Sequence, residues 1–234
     1  MAITLINVAK LSSSGAATTI AAPATNHTAN NLLFVFARHG TNSTSTISIS
    51  DTAGNTFTQV DALIGNAAAG AAQAFYAKNI LGNASNVVTA TFGTSVSFRG
   101  ITVLQYSGLD TVSPLDAHIT GNGTFTTAIV SGTFSTAFAN EVVIQAATTD
   151  GAAGYTAKLI GGSQSTLETA STDDPGVEDI IFSSTKSSIT AEIDDSAGAN
   201  FIMQVATFKA AFTFEDDSFT QYQPLPSLVT TVFS

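Results

Sequence analysis

The chain carries one pattern twice. Ala29–Leu33 (ANNLL) returns 110 positions later as Ala139–Val143 (ANEVV). Ile101–Tyr106 (ITVLQY) returns 102 positions later as Met203–Phe208 (MQVATF), with apolar and polar positions in step. Val87–Phe92 (VVTATF) matches Ser188–Ile193 (SITAEI), and Ala17–Ile20 (ATTI) matches Thr126–Ile129 (TTAI). The shrinking offset implies shorter loops in the second copy. Each copy is about 105 residues, the size of one small β-sandwich.

Local patterns within each copy are those of strands. Ile3 and Leu5 open a period-2 alternation at the N-terminus. Thr46–Ser50 and Thr56–Leu63 alternate likewise, and Gln73–Lys78, Val87–Phe92 and Phe98–Ser107 follow, separated by Gly, Asn and Ser turns. Short β-branched or aromatic runs with turn residues between them define an all-β sandwich or barrel. The Ala-rich stretch Asn66–Ala74 reads as a loop or strand entry, and Asp51–Asn55 (DTAGN) as a hairpin turn. The expected architecture is two tandem, pseudo-repeated antiparallel β-sandwiches of jelly-roll or Ig-like type, with a single large pseudo-twofold jelly roll as the alternative. The units are residues 1–110 and 111–210, packed tightly because the junction Gly108–Pro114 has no flexible spacer, followed by an arm at 211–234.

Charge is scarce and uneven. Seven basic residues stand against seventeen acids, for a net charge of −10. Residues 1–110 sum to +1 and residues 111–234 to −11. So few cations cannot track a phosphate backbone, which excludes nucleic acid as a partner. No apolar run is long enough to span a bilayer, and the first residues lack the basic and apolar regions of an export signal. The chain is therefore expected to have no membrane partner and, if it leaves a cell, to do so without a Sec signal of its own, cytoplasmic assembly followed by lysis being one such route.

Chemistry is sparse. Without Cys there is no disulfide, thiolate metal site or Cys nucleophile. His27, His39 and His118 show no metal-ligand spacing and read as surface residues. The acid pairs Asp173–Asp174, Glu178–Asp179, Asp194–Asp195 and Asp216–Asp217 read as surface loops. A structural calcium is the one ion that they suit. Adjacent acids on a strand point to opposite faces, so no pair can serve one buried site. No catalytic residue, cofactor or metal ligand is assigned. Sugar-binding sandwiches use exposed aromatics; with no Trp, and Tyr106 in a core-like strand, Tyr76 and Tyr155 are those left for such a role.

The last 24 residues fall outside the repeat. They hold four Phe, one Tyr, two Pro and three acids, with no Lys or Arg. Pro224 and Pro226 flank Leu225 and force an extended path. Ser227–Phe233 then alternates as a lone strand carrying Leu228, Val229, Val232 and Phe233. With Phe212, Phe214, Phe219 and Tyr222 these residues form the expected partner-binding arm, suited to adding itself to a sheet edge.

A set of turn and strand-edge motifs covers residues 1–210: Ser50–Phe57 (SDTAGNTF), Phe75–Asn79 (FYAKN), Tyr106–Asp110 (YSGLD), Ser113–Asp116 (SPLD) and Val205–Lys209 (VATFK). This set resembles a β-sandwich module found in phage virion proteins and large bacterial surface proteins. The resemblance implies display on a virion or cell surface and supplies no catalytic residue. Lacking an export signal, the chain is expected to be a structural virion protein, a capsid decoration or cement protein or a head- or tail-attached one. Its expected partners are a major capsid or other virion protein, further copies of itself, or a host surface glycan. A carbohydrate-binding or adhesion module is the alternative.

Overall fold

A computed structural model describes residues 2–41, 43–151, 154–169 and 175–212. The described chain is all-β and its sheets are antiparallel. The first half contains β1 (Thr4–Ser13), β2 (Ala17–Ala21), β3 (Thr25–His27), β4 (Leu32–His39), β5 (Ile47–Asp51), β6 (Thr58–Gln59), β7 (Ile64–Asn66), β8 (Gly70–Ala77), β9 (Asn83–Asn86), β10 (Val88–Val96) and β11 (Arg99–Ser107). The second contains β12 (Leu115–Val130), β13 (Glu141–Thr149), β14 (Tyr155–Ile160), β15 (Ser163–Gln164), β16 (Thr166–Thr169), β17 (Gly176–Phe182) and β18 (Ala191–Lys209).

The first half is a sandwich of a large sheet, β1-β11-β4-β8-β6, and a small one, β2-β10-β5. β7 adds to β8, and β3 and β9 form a separate ribbon. The second half repeats this plan in one continuous sheet. The first part of β12, the end of β18, β13, β17 and β16 reproduce the large sheet; the rest of β12, the start of β18 and β14 reproduce the small one. Strand pairs that are separate in the first half, β1/β2 and β10/β11, are fused in the second into β12 and the 19-residue β18. The corner that breaks β10 from β11 at Phe98 is taken within β18 near Gly198, at φ +72°.

Equivalent strand pairs fix the register of the duplication. Leu33 pairs with Ala77 as Val143 pairs with Ile180, so the β13-to-β17 connection is seven residues shorter than its β4-to-β8 counterpart. Ile20 opposite Ala90 corresponds to Ile129 opposite Ile193. Ala90 therefore matches Ile193, two residues from the position that the sequence alignment gave it. A two-residue slip keeps every side chain on its face, which is why alternation alone could not detect it.

Three apolar layers result. Leu33, Val35 and Ala37 of β4 face the small sheet of the first sandwich and pack with Phe75, Ala90, Phe92 and Val103. Leu32, Phe34 and Phe36 face the other way, into a layer shared with Val142, Ile144, Ile202, Ala206 and Phe208. Val143, Ala147, Ile129, Ile193 and Met203 fill the second sandwich. The two large sheets thus stack back to back, and β4 and β13 are buried on both faces. This explains their unbroken burial, which period-2 reasoning does not anticipate.

Contacts across the shared layer are reciprocal. The Tyr76 and Phe208 rings meet at 5.5 Å, and at the equivalent positions Asp179 accepts a hydrogen bond from Tyr106 at 2.5 Å. Phe34 meets Phe208 edge-on at 6.2 Å. Such an arrangement is a twofold, isologous interface built within one chain.

Some local expectations change. Thr56–Leu63 forms a strand only over Thr58–Gln59. Asp51–Asn55 is not a hairpin: it carries the chain from β5 in the small sheet to β6 in the large one. Asp51 fixes this crossover by accepting from Asn55 N at 2.9 Å and Asn55 Nδ2 at 2.6 Å. Asn66–Ala74 enters β8 through a turn, as expected.

Candidate functional site

A surface groove lies beside the last described residues of the chain. β18 runs inside its sheet, between β12 and β13, to Lys209. The next residues are clamped at the seam between the sandwiches: Ala210 N donates to Asn140 O at 2.9 Å and Ala211 N to Gly108 O at 2.8 Å. Asn140 adopts a left-handed φ of 58° there. The groove, of about 450 Å³, opens beside this clamp, lined by Asp110, Phe138, Asn140, Lys209, Ala211 and Phe212.

Its geometry mixes apolar surface with a fixed ion pair. Lys209 Nζ lies 3.6 Å from Asp110 Oδ2 and 4.6 Å from the centre of the Phe138 ring. Asp110 Oδ1 accepts from Val112 N at 2.7 Å and Ser113 N at 3.1 Å. These two backbone donors, with Lys209 adding to them, hold the Asp110 carboxyl below its ordinary range. Asp110 is therefore a fixed acceptor rather than a proton donor. Phe138 and Phe212 are exposed, at 46% and 78%. Beneath the groove, Glu141 is fully buried and accepts from Phe138 N at 2.9 Å. Burial, with Asp116 beside it, pushes the Glu141 carboxyl up to about 7. An amphiphilic groove of this kind suits an extended peptide carrying aromatic side chains.

Of the residues expected to form the binding arm, Phe212 is in this groove. Phe214, Phe219, Tyr222, Pro224, Leu225, Pro226, Leu228, Val229, Val232 and Phe233 lie outside the described residues. Sequence reasoning missed Phe138, Asp110 and Lys209; the pairing of Glu141 with Lys209 and the bridge of Leu109 to Ala210 bring them together, and neither long-range pairing is visible in the sequence.

Other candidates change character. His27 and His39 are buried, not superficial. His39 Nε2–H donates to Ser45 O at 3.1 Å, and Asn86 Nδ2 donates to His27 Nδ1 at 2.9 Å. Burial lowers the pKa of both rings, so both are neutral packing residues. His118 stays near the surface, 2.9 Å from Asp61. Glu178, Asp179 and Asp195 are buried strand residues rather than loop acids. Glu178 points into the second sandwich and Asp179 into the shared layer, on opposite faces as expected. Tyr155 is 7% exposed and Tyr76 is packed on Phe208, so neither offers a sugar-stacking platform. Among the described residues no cluster of three metal-ligating side chains occurs. No described helix is long and apolar enough to cross a membrane.

The outer faces of the two small sheets differ. Ser48, Thr91 and Thr19 form one row across the first sheet, and Ser50, Thr89 and Ala21 the next, all uncharged. The matching face of the second sandwich carries Glu192, Asp194 and Lys158, with Lys158 Nζ 2.8 Å from Asp194. The acidic excess of the second half thus lies partly on this face and partly in the interior.

No family model, curated protein or solved structure matches this chain.

Proposed function

We propose that the protein is a non-enzymatic structural component of a bacteriophage virion, a capsid decoration or cement protein held to its particle through residues 211–234. The observation that carries this reading is the exit groove. β18, paired with β12, β13 and β14, ends at this amphiphilic surface, and the sequence that continues from it is rich in aromatic residues and free of Lys and Arg. The rest of the architecture suits display. Back-to-back sandwiches bury both large sheets, and the outer face of the first small sheet carries Ser48, Thr91, Thr19, Ser50 and Thr89, whose side chains fit a strand while meeting water. The paired acids of β17 diverge to opposite faces, which supports a scaffold rather than a two-carboxylate hydrolase. The partner is a major capsid or other virion protein, and the location is the particle surface.

The test is co-sedimentation of the full chain and of a chain lacking residues 213–234 with purified particles stripped of the protein. The full chain should sediment with the particles and the shortened chain should stay in solution with an unchanged melting curve. Equal sedimentation of the two would overturn the arm's role. Absence of the protein from purified particles by mass spectrometry would overturn the virion assignment.

A further inference from the structure

The duplication supplies an internal control for every buried position. In the first sandwich β8 carries Phe75, facing the sandwich core, and Tyr76, facing the shared layer. The equivalent residues of β17 are Glu178 and Asp179, as the pairings Val35–Phe75 and Gln145–Glu178 establish. Two aromatic side chains in one copy are two buried carboxyls in the other.

Neither carboxyl meets a cation among the described residues. Glu178 accepts from Ser165 Oγ at 2.7 Å and Lys158 N at 3.3 Å. Its other oxygen and both side-chain polar atoms of its cross-strand neighbour Gln145 are buried without hydrogen-bond partners. Asp179 accepts from Tyr106. The charged or titratable groups around them are Glu168 from β16, Glu192 from β18, Tyr106 from β11 and Lys158 from β14. All but Lys158 are acidic, and the Lys158 ammonium is turned to Asp194 on the outer face. An ionised carboxylate in such a setting is costly, whereas a protonated one is a tolerable polar group.

We propose that the second sandwich is a proton-dependent lock: Glu178 and Asp179 hold β17 between two apolar layers while protonated, and the second half loosens from the first as they ionise. Burial pushes the Glu178 carboxyl up to about 7, and burial likewise raises Asp179 against the opposing effect of the Tyr106 hydrogen bond. For an acid whose folded pKa is raised, the stabilising contribution is complete below the unfolded value. It is lost as pH rises toward and through the folded one. For Glu178 that window runs from about 4.5 to about 7. The first sandwich has Phe75 and Tyr76 in the same places; its own buried titratable groups, His27 and His39, have pKa values lowered by burial and act in the opposite sense, gaining stability as pH rises.

The experiment is thermal melting of the full chain between pH 5 and pH 9, for the wild type and Glu178→Gln. The wild type should lose roughly 5 °C or more across this range. Glu178→Gln should remove at least a quarter of that fall; Glu141 at the start of β13, also pushed up to about 7, adds to the remainder. Hydrogen exchange of the wild type, corrected for intrinsic rates, gives a second readout should the variant not fold. At pH 9 the amides of β13 and β17 should open at least tenfold more often than at pH 5, and those of β4 and β8 less than threefold. A flat wild-type melting profile, an undiminished fall in Glu178→Gln, or equal opening of both halves would overturn the proposal.

Discussion

Tyr106 donates its phenolic hydrogen to Asp179 across the buried layer between the sandwiches, at 2.5 Å. Phe208, the equivalent of Tyr106, instead meets the Tyr76 ring. One reciprocal contact is therefore apolar and the other polar. The polar one has no water to replace its donor, since Tyr106 is fully buried. Tyr106→Phe should cost about 1–3 kcal/mol by leaving the carboxyl unpaired. The deficit should grow as pH rises, because the lost donor favours the ionised form of Asp179. Denaturant melts at pH 5 and pH 8 check both the size and the sign.

Phe208 is the aromatic hub of the same layer, touching both Phe34 and Tyr76. Phe208→Ala should cost about 3–5 kcal/mol through the cavity it leaves. At pH 5, with the second sandwich locked, isolated loss of one sandwich is not expected, because the layer belongs to both. A single cooperative transition, lowered in midpoint, is the expected denaturation curve at that pH; two separated transitions in the wild type at pH 5 would contradict a shared core.

Much of this arrangement was legible beforehand, and the reasons are local. The recurring Ala-Asn pair marks positions where the chain must take a left-handed φ before entering a doubly buried strand. Asn30 and Asn140 do so at 65° and 58°. Asparagine tolerates that conformation better than other side chains. What could not be read was the direction in which each sandwich turns its spare face. Glu178 and Asp179 lie in a strand of ordinary pattern, and nothing local says that both of its faces are covered. The same ignorance placed His27 and His39 at the surface. It also hid the exit groove, whose walls come from positions some seventy residues apart in the chain, Phe138 and Lys209.

Two glycines separate conformational strain from steric conflict. Gly162 has φ +76° with open space around it, whereas Gly108 has φ +79° and an added Cβ would lie 2.1 Å from the Ala2 carbonyl oxygen. Gly162→Ala should cost about 1 kcal/mol. Gly108→Ala should cost at least twice that, because backbone at the seam must move. Comparison of the two melting temperatures tests the distinction.

The groove can be altered without unfolding the body. Phe212 is largely exposed and Phe138 about half buried under Lys209, so the double substitution to Ser should cost about 1–3 kcal/mol and leave the body folded. Particle binding should nevertheless fall by at least tenfold. Unchanged binding, measured by co-sedimentation over a concentration series, would exclude the groove from the interface.

Chelation should leave the melting temperature within about 1 °C. Asp51 and Asn55, whose side-chain oxygens are of the type that binds calcium, already satisfy one another, and Asn86 Nδ2 adds a further donor to Asp51 at 2.9 Å. A larger drop on adding EDTA, reversed by calcium, would show that an ion holds part of the fold.

β18 is both the backbone of the second sandwich and the strand from which the chain departs. A pull on that departing end acts along the strand axis. Hydrogen bonds to β12 on one side and β13 and β14 on the other would then be loaded together in shear, instead of opening one after another like a zip. If residues 211–234 anchor the protein as proposed, tension on them would reach the whole body at once, which an attachment at a loop or an edge strand would not achieve.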